Sequence, residues 1–236
     1  MGTQARECPS SPTTIGGYNS LYADLNHDGR IERVGLVDTK LPGSGGFDYR
    51  GPDDYHYGYK IVVLNDAGKV MWRSDFEADE YASQIKYCLL RDIDGDGNIE
   101  LVLSCEEYSD LAPIVSFVPY RIYTWKNGAF RAYQRTTRGG DAFAAIRQGK
   151  DGIFRVNGAK SEDGTNNGLY CLRQISGQLW GDVVVKTVAA KEYDNKIEKL
   201  PDDVKVVSGD DNLYFCQTVR LEPCEGGLRI VEYKKY

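Results

Sequence analysis

The stretch LRDIDGDGNIELVLS, residues 90–104, places Asp92, Asp94 and Asp96 at alternate positions, then Gly97, then Glu100. Carboxylates this close repel one another strongly unless a cation lies among them. The same pattern occurs earlier, in YADLNHDGRIERVGLV, residues 22–37. There Asp24, Asn26, Asp28, Gly29 and Glu32 fall on Asp92, Asp94, Asp96, Gly97 and Glu100, each at an offset of 68 residues. Two weaker echoes follow. AAIRQGKDGIFRVNGA sets Asp151-Gly152 on Asp96-Gly97, and VKVVSGDDNLYFCQTV sets a turn at Gly209–Asn212.

Between these loops the chain alternates apolar and polar residues in short runs bounded by turn residues, the pattern of hairpins. YKIVVLNDAGKVMWRS turns at Asn65–Gly68, YRIYTWKNGAFRAYQ at Asn127-Gly128, and GLYCLRQISGQLWGDVVV at Ser176-Gly177. LYFCQTVRLEPCEGGLRIVEYKKY turns near Glu225–Gly227. KTVAAKEYDNKIEKL, residues 186–200, is the best candidate for a helix. The chain thus reads as about four units of some 55–70 residues, each of two hairpins. Four-stranded units repeated about an axis form a β-propeller. The expected fold is all-β and propeller-like, with about four blades of four antiparallel strands. Residues 1–16 read as a polar arm and 17–236 as a single domain, with 38–58 and 106–118 as long loops.

Calcium takes about 6–8 oxygen ligands, and acids at positions 1, 3 and 5 of a tight loop point inward to supply them. In loop two the set is Asp92, Asp94, Asp96 and Glu100, with a carbonyl from Asn98. In loop one it is Asp24, Asn26, Asp28 and Glu32, with a carbonyl from Arg30. Loop two carries four negative charges against three, so it is expected to bind the more tightly. An EF-hand needs an acid at position 12, where these loops have Gly35 and Leu103. The third unit places Arg147 and Gly149 at the first two ligand positions, and no metal is expected there.

The pattern Asp-x-Asp/Asn-x-Asp-Gly-x-x-Glu between short strands resembles the FG-GAP/VCBS repeats, such as those of the integrin α-chain propeller. The resemblance covers residues 20–37 and 88–105 well and the remainder only in pattern. It implies a β-propeller with two calcium ions in its loops, each stiffening a loop rather than catalysing.

A net charge of −6 and a pI near 5.1 argue against general nucleic-acid binding and suit a basic partner or bound cations. No apolar run is long enough to span a bilayer. Residues 1–7, MGTQARE, hold no apolar stretch of the signal-peptide kind. Six cysteines without a CxxC fit disulfides in an exported, periplasmic or secreted protein. Cys88 and Cys105 flank loop two almost symmetrically and are expected to pair across its hairpin.

Only two histidines are present, and no nucleophile-elbow, zincin or phosphate-loop motif, so an enzyme is the weaker expectation. The stretch FDYRGPDDYHYGY, residues 47–59, interleaves Tyr49, Tyr55, Tyr57 and Tyr59 with charge and with His56. It reads either as the start of a strand or as a recognition loop, and the interleaved Asp53, Asp54 and His56 favour recognition. Tyr170 ends a second such loop, 160–170. The expected function is a calcium-stabilised, non-enzymatic module that recognises a protein partner through surface loops. The chain is also similar in general look to small calcium-binding, propeller-like bacterial proteins that act in the periplasm as inhibitors of lysozyme-type enzymes. That similarity implies a basic lysozyme-type enzyme as partner. The alternative is a carbohydrate-binding protein or a glycan-active hydrolase that uses the aromatics as sugar platforms.

Overall fold

A computed structural model describes residues 20–42, 55–74, 77–78, 85–108, 115–117, 120–133, 143–158, 168–189, 204–208 and 212–234. Among them the chain is all-β, with 17 strands and no helix. Lys186–Ala189 end a strand, so the start of the expected helix is β-structure, and 190–200 lie outside the described residues. The chain divides into two compact units. One comprises Met1–Ile85 with Trp125–Arg131, the other Lys86–Thr124 with Ala132–Tyr236.

The first unit is a five-stranded antiparallel sheet in the order β1 (Leu21–Ala23), β2 (Glu32–Pro42), β3 (Tyr55–Leu64), β4 (Val70–Arg73), with β5 (Glu77–Ala78) also on β3. Loop one joins β1 to β2, and Ala23 pairs with Glu32 across it. Ala23, Leu25, Val34, Leu36, Ile61 and Val63 are buried. Trp72, Trp125 and Phe130 meet edge to face, with ring centroids 5.0–6.2 Å apart, the arrangement that aromatic quadrupoles favour.

The second unit contains a closed ring of six strands. Its members are β11 (Phe143–Gln148), β12 (Ile153–Gly158), β13 (Gly168–Ile175), β14 (Gln178–Ala189), β16 (Asn212–Cys224) and β17 (Gly227–Tyr233). Pairing runs β11–β12–β17–β16–β14–β13 and back to β11. From β11 the sheet continues through β9 (Tyr120–Lys126) and β7 (Glu100–Tyr108) to β6 (Ile85–Arg91). Shorter strands pair at its margins: β8 (Val115–Phe117) on β7, β10 (Ala129–Ala132) on β9 and β15 (Val204–Ser208) on β16.

The described strands do not divide into four separate blades. Hairpins from different repeats pair with one another instead, β12 with β17 and β9 with β11. Each such pairing satisfies an edge that a free blade would leave open. The predicted hairpins are all present. Asn127-Gly128 and Ser176-Gly177 take φ of +54/+75 and +49/+74, the left-handed pairs that two-residue turns between twisted strands require.

The ring encloses one continuous apolar cluster, including Phe154, Leu169, Leu172, Leu179, Val219 and Leu228. A polar clamp ties three of its strands. Arg173 donates to Asp182 (3.0 Å), and Thr218 Oγ1 donates to the same carboxylate (2.7 Å). Asp182 is buried, so its charge depends on those donors. Cys171 takes φ +50 where the β13–β14 ladder slips between Tyr170 and Arg173, as a bulge residue does.

Cys88, Cys171, Cys216 and Cys224 stand as thiols, so the expected Cys88–Cys105 bridge is not formed. In the loop-one hairpin Leu21 pairs with Val34 and Ala23 with Glu32. The same register at the 68-residue offset would set Cys88 opposite Leu103 rather than Cys105.

Closure of the ring includes a close backbone approach. Gly227 has φ +150, and a Cβ there would lie 2.2 Å from the carbonyl oxygen of Phe154 on β12. Gly177 also has a positive φ, but a Cβ there meets nothing within 4 Å. Gly177→Ala is expected to cost about 1–2 kcal/mol, from backbone handedness alone. Gly227→Ala should cost more, about 3 kcal/mol or above, since the two strands must also separate. Urea denaturation of the two variants checks the order, and equal losses would contradict the closure described here.

Candidate metal centre

The two Asp loops share most of their backbone contacts. The carboxylate that opens each loop accepts N–H groups from the turn. Asp24 takes those of Asp28 (3.1 Å) and Gly29 (3.0 Å), and Asp92 those of Gly95 (2.7 Å) and Gly97 (3.0 Å). Asp28 and Asp96 each accept the N–H two residues on, at 2.9 and 2.8 Å, as Asx turns do. The closing glutamate reaches back under the loop. Glu32 Oε2 accepts from Leu25 N (2.8 Å), and Glu100 Oε2 from Ile93 N (3.0 Å). Gly29 and Gly97 hold φ of +84 and +89, which bends the chain for these contacts.

The loops differ at the other glutamate oxygen. In loop one, Asn26 Nδ2 donates to Glu32 Oε1 (3.4 Å). The orientation of that amide is set by Trp125, whose indole N–H can only donate and reaches Asn26 Oδ1 at 3.1 Å. In loop two the equivalent residue is Asp94, which has no N–H to offer. Glu100 Oε1 is buried and is without a hydrogen-bond partner. One oxygen each from Asp92, Asp94 and Glu100 lies within 4.8 Å of the others, the acidic cluster found among the described residues.

A buried acceptor without a donor is rare and costly. Glu100 is clustered with two further carboxylates, so what is missing there is a cation or, without one, a proton on the glutamate itself. An all-oxygen set without His or Cys suits a hard cation such as calcium or magnesium. Asp92, Asp94 and Glu100 would hold it. Asp96 is turned away toward Asn98, accepting its backbone and side-chain N–H at 2.8 Å each. The expected ligand set is therefore only partly gathered. In loop one a hydrogen bond joins Asn26 to Glu32, while Asp24 accepts from Asp28 N and Gly29 N and Asp28 engages Arg30 N. His27 and Arg30 are exposed.

The third repeat solves the same problem within the chain. Arg155 stands where Glu100 would align, and it donates to both oxygens of Asp151, with Nη1 to Oδ1 at 2.9 Å. The guanidinium holds that exposed carboxyl below the usual range. The fourth echo, 209–211, lies outside the described residues.

Two residues at the loops carry no local signal in the sequence. Tyr133 donates its hydroxyl to Asp94 Oδ2 at 2.6 Å across 39 residues, and Trp125 reaches Asn26 across 99. Of the tyrosines expected to meet a partner, Tyr55 and Tyr57 fall with His56 in β3, paired with Pro42, Lys40 and Leu41, which is the strand reading of that stretch. Tyr49 lies outside the described residues. Tyr170 is a strand residue opposite Asp182, half-buried, with burial pushing its hydroxyl up to about 12.

Burial raises the pKa of Glu100 to about 8, and the neighbouring Asp94, Asp96 and Asp92 push the same way against the Ile93 N–H. Glu32 is raised by burial as well. A carboxyl with a raised folded-state pKa binds more protons folded than unfolded. Its contribution is full below its ordinary pKa of 4.5 and is lost as pH rises toward about 8. The melting temperature of chelator-treated protein should therefore fall across that window. Glu100→Gln should flatten the decline, and thermal melts at several pH values check both. A wild-type profile that rises through this window would contradict the assignment.

Compared with protein-family models, with curated proteins and with solved structures, the chain gives no match.

Proposed function

We propose that this chain is an exported, non-enzymatic binding protein whose β-scaffold is stiffened by calcium in loop two. One observation carries the metal part of the reading. Glu100 Oε1 is buried without a donor, and Glu100 belongs to a cluster with Asp92 and Asp94. Three carboxylates at that spacing need roughly two positive charges, which one divalent ion supplies. Loop one is the weaker site, because Leu25 and Asn26 already satisfy Glu32. The ion's role is structural. It would close a hairpin tip whose Glu100 is itself a ladder residue, paired with Thr124.

A ligand at 100 times its dissociation constant adds about 2.7 kcal/mol to stability. Calcium should raise the melting temperature of demetallated protein clearly, and EGTA should reverse the rise. Asp92→Ala should abolish most of that response. Asp24→Ala should lower the melting temperature with and without calcium but leave most of the response in place. A melting curve indifferent to calcium and EGTA would remove loop two from consideration.

The partner is a basic protein, with a lysozyme-type enzyme as the class the sequence resemblance suggests. The net charge of −6 supports this. Mixed with a basic lysozyme at low ionic strength, the chain should elute from a sizing column as a complex. That complex should weaken as salt is raised, as steered association of opposite charges does. Separate elution at every salt concentration would reject the partner class and leave the calcium reading intact.

A further inference from the structure

We infer that Tyr133 is a positioning residue for the cation of loop two, fixing the carboxylate of Asp94 from outside the loop. This rests on the calcium reading of that loop. Tyr133 is well placed to act as a fixed post. It follows β10 directly, and its backbone N–H bonds to the carbonyl of Ile122 at 2.9 Å. Its ring packs against the buried cluster that includes Leu89, Ile93 and Ile122. The hydroxyl therefore projects from a side chain held by the core, and it meets Asp94 Oδ2 at 2.6 Å. The other oxygen, Oδ1, accepts the N–H of Asp96 at 3.1 Å. Donors at both oxygens fix the plane of the carboxylate, and each oxygen keeps a lone pair for an ion.

Loop one shows the same design independently. Asn26 is the equivalent of Asp94, and it also receives an aromatic donor, Trp125 Nε1. In each loop the third-position side chain is thus oriented by an aromatic N–H or O–H distant in sequence. Outer partners of this kind hold ligands in a productive geometry, and their loss typically weakens metal affinity about 10–100-fold.

Tyr133→Phe removes the hydroxyl and keeps the ring's packing. Calcium titration by calorimetry should show about 10–100-fold weaker binding in the variant, while its melting temperature in EGTA stays close to that of the wild type. Tyr233→Phe, at an exposed position of β17, should bind as the wild type does. Terbium gives a second reading on the wild type alone, which does not depend on how the variant folds. Terbium replacing calcium should emit under tyrosine excitation, and Tyr133→Phe should lose most of that emission. Calcium binding by Tyr133→Phe at wild-type affinity would overturn the role of Tyr133 while sparing the calcium site. Terbium that binds the wild type without tyrosine-sensitised emission would do the same. A wild type that binds neither ion would overturn the calcium reading, and this inference with it.

Discussion

A carboxylate that leaves water must meet a donor or a cation, and the repeats of this chain differ at the residue that would meet that demand. Loop one uses an amide, with Asn26 donating to Glu32. The third repeat replaces the glutamate by Arg155, which pairs with Asp151. Loop two has neither device, and its glutamate keeps one buried oxygen without a donor. The two Asp loops share most of their backbone contacts, although their third-position side chains differ. A few side-chain substitutions decide whether the position asks for an ion.

The same demand shapes the ring of strands. Asp182 is buried on β14, and its charge is matched by Arg173 from β13 and Thr218 from β16. Breaking such a group by removing one partner leaves an uncompensated charge inside the protein, which is far costlier than never having built it. The clamp thus fixes the order of three neighbouring strands. Closure of the ring on the opposite side rests on absence of bulk, with Gly227 letting β17 approach the Phe154 carbonyl. Charge matching and close backbone approach are separate constraints, and the ring needs both.

Loop two is linked to that ring as well as to its own hairpin. A Cβ at Gly95 would lie 3.1 Å from the carbonyl oxygen of Cys224, at the β16–β17 turn. Tyr133 brings in the strand end beside β10. An ion held there would therefore stiffen a place where three segments of the second unit meet.

Local pattern determined much of this protein. Alternation of apolar residues, with Asn-Gly, Ser-Gly and Gly-Gly turns, placed the four hairpins, because period and turn chemistry act within a few residues. The 68-residue offset identified the two Asp loops and their glutamates, and the charge difference between Asn26 and Asp94 ranked them. Tertiary structure decided how hairpins from different repeats pair, which turned an expected set of blades into a closed ring. It also left Cys88 without the bridge to Cys105 that the flanking positions suggest. Tyr133 and Trp125 became visible only there, since a hydrogen bond across 39 or 99 residues leaves no spacing to read. The turns follow from neighbouring residues, whereas strand partners and buried donors are chosen by which distant groups leave no edge and no charge unmet.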